Sequence, residues 1–162
     1  MYSPANLRHP DNIERMIAQA TEGLGGLDIV VNNAVVRHVG PIESLPASEW
    51  DEDIAVNLSS AFHTIRLTLP GMKQRNWGRI VNVSSIYGLT AAPNCVGYVT
   101  TKTALIGLTR AVALETAGYD ITANAVCPGT STTPVHEAAL EQLMEAGRLS
   151  RADAEQDRKS VV

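Results

Sequence analysis

The chain has 162 residues, 44% of them apolar and 19% charged, with a formal net charge of −4. That balance describes one globular domain able to bury a core; it excludes a disordered chain, and a nucleic-acid binder would carry a basic patch instead. Two cysteines, Cys95 and Cys127, are too few and too separated for a disulfide framework or a zinc site, and no lysine/arginine run, secretory signal or membrane-length apolar stretch occurs, so a cytoplasmic protein with no metal and no nucleic-acid or membrane partner is expected.

Helix-like and strand-like segments alternate along the chain. Ile13, Met16, Ile17, Ala20 and Leu24 recur at three- and four-residue steps, predicting an amphipathic helix over 11–24 that Gly25-Gly26 ends. Residues 27–31 form a short, nearly continuous apolar run, the pattern of a strand buried on both faces of a parallel sheet, and Asn32-Asn33-Ala34 follows at its C-terminal end. A helix opens near Pro46 with Ser48 as N-cap and continues, with a bend, to about Arg75. Asn57 lies inside it, although Asn is a mediocre helix former. Gly78 punctuates, and a second strand over 79–83 ends in Ser84-Ser85. A loop bearing glycine and proline, 88–97, leads into a helix over 98–116 rich in Ala and Leu; a third strand, 121–126, ends at Pro128-Gly129. The tail, 135–162, is polar and helical in pattern.

Alternating buried strands and helices predict an α/β fold, part of a doubly wound, Rossmann-like parallel sheet with helices on both faces and right-handed crossovers. Ligands of such sheets bind beyond the carboxyl ends of the strands. The polar groups Asn32-Asn33, Ser84-Ser85 and Pro128-Gly129-Thr130 fall at those ends.

Tyr98 and Lys102, four apart on a predicted helix, share a face. A phenol titrates near ~10, and a neighbouring ammonium stabilises its anion, so the pair suits proton transfer. The spacing alone also fits an ordinary amphipathic helix. Taken with Asn32-Asn33-Ala34, Asn57, Ser85 and Pro128-Gly129, in this order and at these spacings, it resembles the short-chain dehydrogenase/reductase family over roughly residues 5–134.

The resemblance implies an oxidoreductase that interconverts a secondary alcohol and a ketone with NAD or NADP. Tyr98 would exchange a proton with the substrate oxygen, Lys102 would lower its pKa and meet the nicotinamide ribose, Ser85 rather than Ser84 would polarise the carbonyl, and Asn57 would hold a water relaying protons from Lys102. Asn6, Asn32, Ala34, Pro128, Gly129 and Thr133, with Tyr98 and Lys102, would line the cofactor. The family's run is Asn-Asn-Ala-Gly; here Val35 takes the fourth place, where glycine would permit positive φ.

Residues 37–41, 63–66 and 71–79 further resemble 3-hydroxybutyrate dehydrogenases. The Gln, His and Lys that grip the substrate carboxylate in those enzymes fall on Arg37, Tyr87 and Cys95, and a Trp falls on Thr130; of these, Arg37 can still pair with a carboxylate. A small hydroxy acid such as 3-hydroxybutyrate is one candidate substrate, and another small alcohol or ketone is equally compatible.

No glycine-rich dinucleotide turn occurs; Gly23, Gly25 and Gly26 precede a strand rather than opening a helix. The resemblance therefore implies a single partial domain, truncated at the N-terminus, without the family's first strands, and ending before its last helix and strand. It also implies a homo-oligomer built on the helices beginning near Ser48 and Tyr98. The competing expectation is a non-catalytic remnant or scaffold subunit that cannot hold the cofactor.

Overall fold

A computed structural model describes residues 3–129 and Ser150. The chain divides into two units, Met1–Cys127 and Pro128–Val162; the first is described below. The tail 135–162, Ser150 apart, Thr130 and Thr133 lie outside the described residues.

The first unit runs α1 (Pro10–Leu24), β1 (Ile29–Asn32), α2 (Ala47–Ile54), a π-helical turn (Ala55–Ser59), α3 (Ser60–Arg75), β2 (Trp77–Val83), a 3-10 turn (Ile86–Gly88), α4 (Val96–Glu115) and β3 (Asp120–Val126). The strands form one parallel sheet in the order β1-β2-β3, with Asn32 opposite Asn82 and Asn82 opposite Ala125. This is the α/β, partial Rossmann-like architecture that the alternation predicted.

Helices α3 and α4 cover one sheet face, and α1 packs on α3. Their core joins Ile65, Met72, Ile80, Val112 and Ile121, flanked by Val30, Leu69, Leu108 and Ala123. Each fully buried aliphatic side chain stabilises by about 1.5–3 kcal/mol, so this seam fixes the helices to the sheet. The strands are not buried on both faces, as their apolar runs suggested. Ile29 and Val31 are 60% and 57% exposed, because no described element covers the face they share.

Two local expectations change. Helix α2 begins at Ala47 with Pro46 as its N-cap, so Ser48 lies inside the first turn and does not cap it. Helix α3 does end at Arg75, closed by Asn76 in the left-handed region (φ 53°), but Gly78 lies inside β2 rather than before it. Gly78 is needed for space instead, since a Cβ there would lie 2.6 Å from Met72 Sδ. Gly25 does end α1 in the left-handed region, at φ 76°.

Candidate active site

Where α2 would run into α3, the chain widens into the π-helical turn, and the Ser60 N–H reaches back to the Ala55 carbonyl. Such turns cluster at functional sites. Here the turn places Asn57, which is 2% exposed, against the segment after β1. Its Oδ1 accepts from the Val36 N–H (2.8 Å), and its Nδ2 donates to the Val36 carbonyl (2.9 Å) and to Thr101 Oγ1 (3.3 Å). Asn57 therefore joins the loop at the end of β1 to the turn of α4 that lies between Tyr98 and Lys102. Its amide has no N–H left for a water.

Lys102 is 3% exposed. Its ammonium donates to the Val83 carbonyl at the end of β2 (2.6 Å) and lies 5.6 Å from the centre of the Tyr98 ring. Burial holds its pKa below the usual 10.5. Tyr98 is half-buried, and the Arg37 guanidinium stands 5.3 Å from its ring centre. Two cations thus stand near one aromatic ring. Arg37 Nη2 also donates to Cys95 Sγ (3.1 Å). Two of the four expected substrate contacts, Arg37 and Cys95, are brought together there, beside the expected acid/base.

The two strand-end serines are sorted by where their protons go. Ser84 is buried and donates to the Lys102 carbonyl (2.7 Å), so its hydroxyl is committed to α4. Ser85 caps the 3-10 turn by accepting from the Tyr87 N–H (3.2 Å), which leaves its own O–H free to donate. Gly88 lets this turn lie against α4, since a Cβ there would meet Ser84 Oγ at 2.6 Å and the Lys102 carbonyl oxygen at 2.8 Å.

The expected cofactor contacts divide. Ala34 and Val35 are exposed just beyond β1, and Val35 keeps a negative φ, so the β-branched residue is accommodated without strain. The Asn32 side chain turns inward instead. Its Oδ1 accepts from Thr64 Oγ1 (2.7 Å), its Nδ2 donates to Asn82 Oδ1 (2.8 Å), and Asn82 Nδ2 donates to Thr109 Oγ1 (2.8 Å). This chain links α3, both strands and α4, so the Asn32 side chain is held within the sheet and helix layers. Sequence reasoning missed Asn82, although an amide within an apolar strand run was the available signal. Asn6 is exposed before α1, where its Oδ1 accepts from the Arg8 N–H (3.1 Å). Pro128 and Gly129 are exposed and open the second unit.

Comparison with known proteins shows the family. The profile of the family described as short chain dehydrogenase matches residues 1–143. The D-beta-hydroxybutyrate dehydrogenase of Cupriavidus necator is 49% identical over 140 residues, covering 86% of this chain and 54% of the relative. The enzyme of the same name from Rhizobium meliloti is 46% identical over the same shares. A 3-oxoacyl-(acyl-carrier-protein) reductase of Staphylococcus aureus is 36% identical over 141 residues, 87% of this chain and 57% of the relative. The chain belongs to the short-chain dehydrogenase family. It spans about half the length of the curated relatives it matches.

The residues present fit the nicotinamide end of a dinucleotide. Lys102 uses one of its three N–H donors on Val83, Tyr98 keeps its phenol half-open, and small Ala34 permits close approach. Among the described residues no glycine-rich turn opens a helix. No group of metal-binding side chains occurs among them, and no described helix is long and apolar enough to cross a membrane.

Proposed function

We propose that this chain carries the proton-transfer half of a NAD- or NADP-dependent oxidoreductase that interconverts a secondary alcohol and a ketone, with a small hydroxy acid as substrate. One observation carries the reading: Lys102 and Arg37 stand 5.6 Å and 5.3 Å from the centre of the Tyr98 ring. The nicotinamide, when bound, supplies or accepts the hydride at the substrate carbon.

The protein's own groups handle the oxygen. Ser85 O–H donates to it and fixes its direction, because the Tyr87 N–H already holds the Ser85 oxygen. Tyr98 gives the proton in reduction and takes it in oxidation. Lys102 keeps a positive charge beside the phenol while that proton is away, and its buried hold on Val83 prevents it from swinging out. A water that resupplies the proton would meet the Lys102 ammonium, which keeps two N–H donors beyond the one on Val83. Arg37 receives the carboxylate of the acid. The hydroxybutyrate dehydrogenases named above support this substrate class.

Free Cys95 and Cys127 support a reducing, cytoplasmic setting, and the exposed Phe62 and Leu114 on α3 and α4 support a homo-oligomer. Titration with NADH or NADPH, followed by nicotinamide fluorescence, should show binding; turnover of 3-hydroxybutyrate should vanish in Tyr98→Phe. No fluorescence change at millimolar cofactor would overturn the enzyme reading in favour of a scaffold subunit.

A further inference from the structure

One buried ionisable pair lies outside the proton-transfer group. Asp53, at the end of α2, is fully buried. Its Oδ1 is 3.2 Å from His38 Nδ1, and its Oδ2 has no hydrogen-bond partner. Burial pushes the Asp53 carboxyl up, against the pull of His38. A buried, half-satisfied carboxylate is costly, so a packing role alone would be filled better by an apolar residue.

Asp53 stands four residues before Asn57, and both reach the same strip of backbone. Asn57 holds Val36 by two hydrogen bonds, and Asp53 holds His38. The other ring nitrogen of His38 lies 3.6 Å from Glu52, which is itself paired with Arg8. Arg37 is therefore fixed on both sides, and its guanidinium emerges beside Tyr98 and Cys95. The far side of Asp53 abuts the helix that carries Tyr98: a Cβ on Gly97 would lie 2.2 Å from Asp53 Oδ2. The residue before the acid/base is small because Asp53 fills that space.

We propose that Asp53, through His38, is a positioning residue that aims Arg37 at the carboxylate of an acidic substrate, completing with Asn57 a two-point clamp on residues 36–38. This rests on the reading of Tyr98 and Arg37 given above. An arginine on an unclamped loop loses rotamer and backbone freedom when it meets a carboxylate; a clamped one has already lost it, so the acid binds more tightly.

The test uses the full chain with Cys127→Ser, leaving Cys95 as its single thiol. Asp53→Ala is combined with Gly97→Ala, so that the added methyl occupies the vacated space and the fold is kept. The clamp predicts that Cys95, now buried and held by Arg37, reacts with a maleimide at least about tenfold faster, as expected for the loss of a charge-assisted contact. It also predicts that KM for the hydroxy acid rises about tenfold, with kcat and the KM for its neutral methyl ester unchanged. Asp53→Asn, which keeps an acceptor for His38, should behave as the parent in both measurements. Unchanged maleimide reactivity in the Asp53→Ala, Gly97→Ala variant overturns the clamp, whether or not the protein turns over. Faster labelling with acid and ester affected alike overturns the role in substrate choice. If the parent itself shows no turnover, the function reading fails while the labelling still decides the clamp.

Discussion

Gly88→Ala tests how the strand-end serines are held against the helix of Tyr98. Gly88 has a negative φ, so the backbone accepts alanine and only space is at issue. The added Cβ would stand 2.6 Å from Ser84 Oγ, 2.8 Å from the Lys102 carbonyl oxygen and 3.0 Å from its carbon. The hydroxyl could rotate away at the loss of its bond to that carbonyl, about 0.5–1.5 kcal/mol. The carbonyl belongs to the backbone of α4 and cannot move alone. The 3-10 turn must therefore lift, taking Ser85 with it, at the usual overpacking cost of about 1–3 kcal/mol. For a chain of this size, that lowers the melting temperature by roughly 2–12 °C. Gly107→Ala is the control: it lies exposed in the same helix, its Cβ would meet nothing within 4 Å, and helix propensity predicts stabilisation by up to about 1 kcal/mol. Thermal melts read both variants. A Gly88→Ala melt within a degree of the parent, alongside a stabilised Gly107→Ala, would refute the tight seat of the turn on α4.

The serines should separate in kinetics and stability: Ser85→Ala lowers kcat by about 10²-fold or more, whereas Ser84→Ala leaves kcat within a few-fold and lowers urea stability by about 1 kcal/mol. Asn82→Ala strips the partners from Asn32 and Thr109 inside the core, and denaturant curves should show a loss of about 2–4 kcal/mol. Lys102 is held below 10.5 by burial, so between its lowered value and 10.5 the unfolded chain binds more protons than the native one. Stability should rise with pH across that alkaline window, and Lys102→Met should abolish the rise. Asp53 is held above 3.8, so between 3.8 and its raised value the native chain binds more protons and stability falls as pH rises; urea midpoints of Asp53→Asn should be flat across that acid window.

Much of this was legible because burial follows period. The steps from Ile13 to Leu24 marked α1, and the apolar runs marked three strands within two residues of their ends. Asn57 announced a disturbed helix, and the π-helical turn is that disturbance. The misses share a cause, since each depends on geometry that periodicity does not carry. Gly78 reads as punctuation until Met72 is seen folded over it, and Ser48 reads as a cap until Pro46 takes that place. An apolar run says that a strand face can be buried, not that something lies on it, and Ile29 and Val31 show the difference. His38 and Asp53 are fifteen residues apart, carry no motif, and become visible only as a pair.

The buried polar chain also explains why a site can be built on short strands. A one-residue slip in a parallel pair would turn a strand's side chains to the opposite face. Apolar residues resist such a slip weakly here, because Ile29, Val30 and Val31 are nearly interchangeable between faces. Asn32 is not: its amide finds Thr64 and Asn82 only when it stands opposite Asn82. A slip would strand buried amide groups at about 1–3 kcal/mol each. The amides thus fix the register of β1 on β2, and with it the level at which Ala34 and Val36 leave the sheet relative to Ser84 and Ser85. Asn57 then reads that level through Val36, and α4 receives it through Thr101. The placement of Tyr98 near its two cations thus depends on the Asn32–Asn82 amide pair.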